Sequence, residues 1–187
     1  MTTRSRQAAA LAQVLGDRIG RPVRHSYDGP RTERYSGGWR LEWTDGPTIG
    51  TMRALAREYA ARFPDLPPVE NIRFDRAHTD QAEATALLLW LDTDPNSAFD
   101  TIPGLWLEQS FAATEDPDRA PEVWQRRGHT LYAMIREAYT AKSSSSGHTI
   151  VVTALAERIR ASGWDQTLAW LDRQAEPHHE PHLRIVK

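Results

Sequence analysis

The segment Trp39-Arg40-Leu41-Glu42-Trp43-Thr44 alternates strictly between large apolar and polar residues. A period of two puts Trp39, Leu41 and Trp43 on one face and Arg40, Glu42 and Thr44 on the other, so it predicts a strand with one wet face. On either side the period changes. Ala8, Leu11, Ala12, Leu15 and Ile19 recur at helical spacing, and Gly20 stands where a helix-ending residue belongs. Met52, Leu55, Tyr59 and Phe63 form a second helical stripe, which Thr48 can cap. A sheet wet on one face must bury the other, and these two helices are the nearest cover.

Two further strands follow from the same reasoning. Val23, His25 and Tyr27 alternate with Arg24 and Ser26, and NIRFD turns Ile72 and Phe74 inward. FPDLPP ends the second helix, because proline cannot continue one. Asp80 and Glu83 stand at capping-box spacing before a stripe of Ala84, Leu87, Leu88 and Leu91. The order over residues 1–93 is therefore α-β-β-α-β-α, with a small antiparallel or mixed sheet covered on one face by helices.

Residues 92–104, DTDPNSAFDTIPG, read as a boundary, and beyond them the pattern is helical. LWLEQSFAA is a short helix, and Pro121 opens a longer one carrying Trp124, Leu131, Ile135 and Ala138. SSSSG, residues 143–147, predicts a flexible break. Val152, Leu155 and Ile159 line the next helix, which Gly163 stops, and Trp164, Leu168 and Leu171 line the last. The tail, residues 176–187, is expected to be mobile. The fold class is α+β, an N-terminal α-β-β-α-β-α unit followed by a helical region over residues 94–187.

Composition narrows the setting. Hydrophobic residues at 40% and charged residues at 26% give the chain enough apolar surface for a core, so disorder is not the default. There is no cysteine, which excludes disulfides, thiolate metal sites and a cysteine nucleophile. The N-terminal twenty residues lack a continuous apolar core and carry Asp17 and Arg18, unlike a secretory signal. ALLLWL, the longest apolar run, is far short of the ~20 residues of a membrane span. A cytoplasmic protein without a membrane segment is expected. Residues 1–79 carry a balance of +4 and residues 80–187 one of −6, which points to two surfaces with different partners.

Trp43-Thr44-Asp45-Gly46-Pro47-Thr48 joins the alternating strand to the second helix. Gly46 can take the positive φ of a sharp turn, Asp45 can accept from nearby backbone N–H groups, and Thr48 can cap. A helix N-terminus beside a glycine can also hold an anion. The stretch has neither the glycine spacing and lysine of a P-loop nor GxGxxG, so the turn is read first as a device of the backbone.

Tyr35-Ser36-Gly37-Gly38, then a strand, then the W-T-D-G-P-T turn and a helix resemble one of the large polyvalent protein-associated domains, the family numbered twenty-nine. The resemblance covers about residues 10 to 60, with a shorter passage after Gly38. It implies the same order of helix, strand, glycine loop, strand, turn and helix. It also implies a setting in phages or conjugative elements, where such domains belong to very large proteins or to short ones. No enzymatic activity attaches to that family.

Several groupings of polar residues have the chemistry of a site. His178, His179 and His182 with Glu180 could bind zinc, the sole ground for a metal-dependent hydrolase, but Pro181 keeps a helix from aligning them. Ser36, His25 and Asp45 make a triad on paper only, without a nucleophile elbow. His78 sits near Asp80, which has a helix to cap, and His129 flanks an apolar stripe. No catalytic, cofactor or metal residue is assigned. Arg24, Arg40 and Arg73 project from the wet face of the sheet with Arg31 and Arg34 in the adjoining loop, and such a set can contact phosphates. Glu42 and Asp75 share that face and counter it. The expected function is a non-enzymatic binding or accessory role through a protein partner, with nucleic-acid binding by these arginines as the alternative.

Overall fold

The computed structural model describes residues 2–29, 38–96, 103–141 and 147–175. The element order is α1 (Thr3–Ile19), β1 (Arg24–Tyr27), β2 (Trp39–Thr44), α2 (Ile49–Tyr59), β3 (Arg73–Ala77), α3 (Asp80–Thr93), α4 (Pro103–Ala113), α5 (Glu122–Ala141), α6 (Gly147–Ser162) and α7 (Trp164–Ala175). The α+β reading holds. The N-terminal α-β-β-α-β-α order carries a three-stranded sheet, and the region after it is helical.

The strands lie in the order β1-β2-β3, with β1 antiparallel and β3 parallel to β2. A parallel neighbour requires a crossover, and α2 with the proline-rich segment after it provides one. Leu41, Trp43, Ile72 and Phe74 are buried on the inner face against Leu11, Ala12 and Leu15 of α1 and Met52 and Ala56 of α2. Trp43 is only 1% exposed. Trp39 is half-buried at the end of the sheet, its ring 4.9 Å from that of Tyr27. Gly20 closes α1 with a left-handed φ of 66°, donating to the Gly16 carbonyl.

The sequence places α3 at the end of the first unit, but its side chains serve the second. Ala84, Leu87, Leu88 and Leu91 join Leu131 and Ile135 of α5, Val152 and Leu155 of α6 and Leu171 of α7 in one core. Residues 82–88 of α3 are all buried, so the helix is central rather than striped. A Cβ added at Gly128 of α5 would lie 2.0 Å from Thr85 Oγ1, which lets the two helices meet closely. The cap also differs from the sequence expectation. Thr79 caps α3, accepting from the Ala82 N–H at 3.2 Å, and Asp80 is already inside the helix. Residues 142–146 and 176–187, the expected break and tail, lie outside the described residues apart from Gly147, which opens α6. No helix among the described residues is long and apolar enough to cross a membrane.

Candidate functional site at the junction of the two halves

The W-T-D-G-P-T turn is where the two halves are joined. Asp45 and Gly46 both take left-handed backbone, at φ 54° and 72°. Aspartate tolerates this region, and Gly46 needs it; a Cβ there would also meet Arg21 Cδ at 2.9 Å. The buried Trp43 indole donates to the Pro47 carbonyl at 3.1 Å, closing the turn from beneath. The Asp45 carboxylate accepts from the Thr79 N–H at 2.8 Å and from the Thr79 hydroxyl at 3.2 Å. Its partner is thus thirty-four residues away rather than in the turn itself. By fixing Thr79, Asp45 also decides where α3 begins.

Thr48 caps α2 as expected, accepting from the Thr51 N–H at 3.3 Å. The anion place at that helix end is filled by the chain's own carboxylate. Glu115 accepts from the Thr48 N–H at 2.8 Å, the Thr48 hydroxyl at 2.7 Å and the Thr51 hydroxyl at 2.6 Å. Burial acts to raise the Glu115 pKa, but the hydrogen bonds from Thr51 and Thr48 and the Arg76 charge outweigh it and hold the carboxyl below its ordinary value. A negative group at a helix N-terminus is also favoured by the helix dipole.

Arg76 on β3 completes the joint from the inner side. Alternation along β3 puts it on the same face as Phe74, and in register with Trp43. Its guanidinium donates to the carbonyls of Phe111 at 2.6 Å, Thr114 at 2.9 Å and Asp45 at 3.3 Å, and to Gly46 as well. It also lies 3.9 Å from the Phe111 ring centre. Burial lowers the Arg76 pKa, against the opposing charges of Glu115, Asp116, Asp45 and Asp118. A guanidinium stays protonated regardless, and its five donors suit a ring of carbonyls.

The segment Glu115-Asp116-Pro117-Asp118-Arg119 is the other half of the clasp. Arg21 pairs with Asp118 at 2.6 Å. The Asp116 N–H donates to the Gly46 carbonyl at 3.0 Å. Arg119 donates to the Ile19 carbonyl at 3.0 Å, satisfying the end of α1. Part of the charge asymmetry between the halves is therefore met inside the molecule.

Beside this clasp lies a cleft of about 570 Å³. Ile49 and Gly50 of α2 form one wall and Ala112 and Ala113 of α4 another, over the Phe111 ring. Glu83, Glu108 and His78 stand at its polar side. His78 Nε2 is 3.8 Å from Glu83 Oε1, and its ring lies 5.1 Å from that of Phe111. Glu83 is 8% exposed, whereas Glu108 is exposed and has no ion-pair partner among the described residues. His78 thus faces Glu83, four residues beyond the capping threonine, not Asp80.

The arginine face is arranged differently from a free phosphate-binding set. Arg40 pairs with Asp28 and Asp75, both at 3.0 Å, and Arg73 pairs with Asp75 at 2.8 Å. Arg24 is exposed and lies opposite Glu42 in the ladder. Arg31 and Arg34 lie outside the described residues, as do Ser36 and the histidines of the tail. Among the described residues, no three His, Asp or Glu side chains are grouped to hold a metal ion.

The sequence signals for Arg76, Glu115 and the cleft were weak. An arginine at an inward strand position reads as an interruption of the apolar face, and E-D-P-D-R reads as a polar loop. The charge asymmetry between the halves pointed to two surfaces with different partners, not to this internal clasp. Compared with protein-family models, with curated proteins and with solved structures, the chain matches none.

Proposed function

We propose that this chain is a non-enzymatic binding or accessory protein that acts through protein contacts at the junction cleft. The observation that carries the reading is the division of labour around the cleft. The walls are apolar, while Arg76 and Glu115 are committed to holding the fold, the first to four carbonyls and the second to two threonines. An accessible apolar cleft with few polar groups at its side suits recognition. The resemblance of the W-T-D-G-P-T turn to the polyvalent-protein-associated family supplies the setting, a bacterial mobile genetic element, and a cytoplasmic location belongs to the same proposal. The nucleic-acid alternative has less support, since a phosphate at Arg40 or Arg73 must compete with a carboxylate already 2.8–3.0 Å away.

Selection of displayed random peptides on the wild type and on Ala112→Trp tests this. Ala112 is exposed, so the indole obstructs the cleft without disturbing the core. Peptides enriched on the wild type and lost on Ala112→Trp are expected. Enrichment that is equal on both proteins would remove the cleft from the function.

A further inference from the structure

We infer that the occupant of the junction cleft is a peptide segment bearing a cationic side chain beside an aliphatic one, an inference that rests on the protein-contact reading above. Three carboxylates (Glu83, Glu108 and Glu115) line the cleft against a single guanidinium, so with His78 neutral its net charge is −2. The Arg76 charge is matched by Glu115. Its guanidinium lines the cleft against the Phe111 ring and four carbonyl oxygens. Glu115 in turn is turned toward Thr48 and Thr51. Glu108 is exposed and has no ion-pair partner among the described residues, and the Glu83–His78 pair also lines the cleft.

Geometry gives the second half of the recognition. Ile49 is 37% exposed at one wall, and Ala112 and Ala113 are exposed at the other. An aliphatic side chain entering between them reaches Phe111, and its burial removes apolar surface on both partners from water. A neighbouring arginine or lysine then meets Glu108 at the rim, where it can keep its charge hydrated while its methylene stem covers the alanines. An anionic segment meets the same apolar wall but is repelled by the rim, so charge selects between otherwise similar peptides.

Fluorescence anisotropy with two labelled octapeptides, one with an Arg-Leu-Arg-Leu core and one with Glu replacing each Arg, tests the inference on the full chain. The basic peptide is expected to bind about 10-fold more tightly than the acidic one, from one rim attraction gained and one repulsion avoided. Glu108→Gln is expected to weaken it about threefold, and added salt to weaken it further. Ala112→Trp is expected to abolish binding while the thermal midpoint stays in place. Equal binding of both peptides, blocked by Ala112→Trp, overturns the charge selection and leaves the cleft reading standing. Failure of Ala112→Trp to affect any peptide overturns both. Self-association that Ala112→Trp removes would put a second copy of the chain in the cleft and overturn the inference in favour of that occupant.

Discussion

The Glu115 carboxylate receives the Thr48 backbone N–H at 2.8 Å, across a sequence separation of sixty-seven residues. The contact turns a helix end that could have held an external anion into an internal fastening. It also makes the attachment of α4 to α2 dependent on a titrating group.

Acid should therefore loosen this joint. The folded-state Glu115 carboxyl titrates below its ordinary value of 4.5, so over that window the folded protein holds fewer protons than the unfolded chain. The stabilisation is present above the ordinary value and is lost as pH falls through the folded one. Glu115→Gln is expected to cost about 1 kcal/mol at neutral pH, discounted for its exposure. Urea midpoints of the two proteins, measured from pH 7 downward, should converge below 4.5. A constant gap across that range would sink the assignment.

Arg76→Ala leaves carbonyls of both halves facing a gap where a guanidinium stood. Arg76 is partly buried, and loss of its charged hydrogen bonds is expected to cost about 2 kcal/mol or more. Arg76→Lys should recover little, because an ammonium cannot reach carbonyls on several sides from one plane. Equilibrium denaturation that leaves either variant within about 0.5 kcal/mol of the wild type would mean that the joint carries no stability.

Gly128→Ala tests the closest helix contact. The new methyl would lie 2.9 Å from Thr85 Cα as well as on its hydroxyl, so the α3 backbone must move. A loss of about 2 kcal/mol or more is expected, at the upper end for overpacking. Thr85→Ala in the same chain should relieve only part of it, because the Cα remains. Full restoration in the double variant would place the conflict in the side chain alone.

On the sheet face, we expect no retardation of duplex DNA at micromolar protein in low salt, because Arg40 and Arg73 are paired with Asp28 and Asp75. A mobility shift that Arg24→Glu and Arg73→Glu abolish, with the fold intact by circular dichroism, would restore the nucleic-acid reading.

A chain ending at residue 93 should not fold on its own. It would leave Leu87, Leu88 and Leu91 without α5 and α6, and the end of α1 without Arg119. Dispersed, narrow amide resonances from residues 1–93 would show the first unit to be independent after all.

The elements of the fold were legible where one periodicity ruled a segment. All five residues named for α1 are buried, and Leu41 and Trp43 face inward as the alternation required. Thr48 and Gly163 end or begin helices as read, the latter at φ 81°. Failures came where a distant residue decided a local choice. Asp80 had the chemistry of a cap, but Thr79 is the residue that Asp45 holds. Alternation named Ile72 and Phe74 and carries position 76 inward after them, but gave no reason for an arginine there, because its carbonyl partners lie on other elements. The cleft was invisible for the same reason. Its walls come from four elements, and no single stretch of sequence contains a sign that they meet.

The Asp45–Gly46 pair has a consequence for synthesis. Both residues sit in left-handed backbone, and the hydrogen bond from the Gly46 N–H goes to Asp118, seventy-two residues further on. At synthesis rates of about 5–20 residues per second, the turn leaves the ribosome roughly 4–14 s before its clasp is made. During that interval the nascent sheet carries a bend without the groups that fasten it. Midway through translation the turn is thus open to chaperones or proteases, and release of residues 115–119 is the event that fastens it, while α3 still waits for α5 and α6.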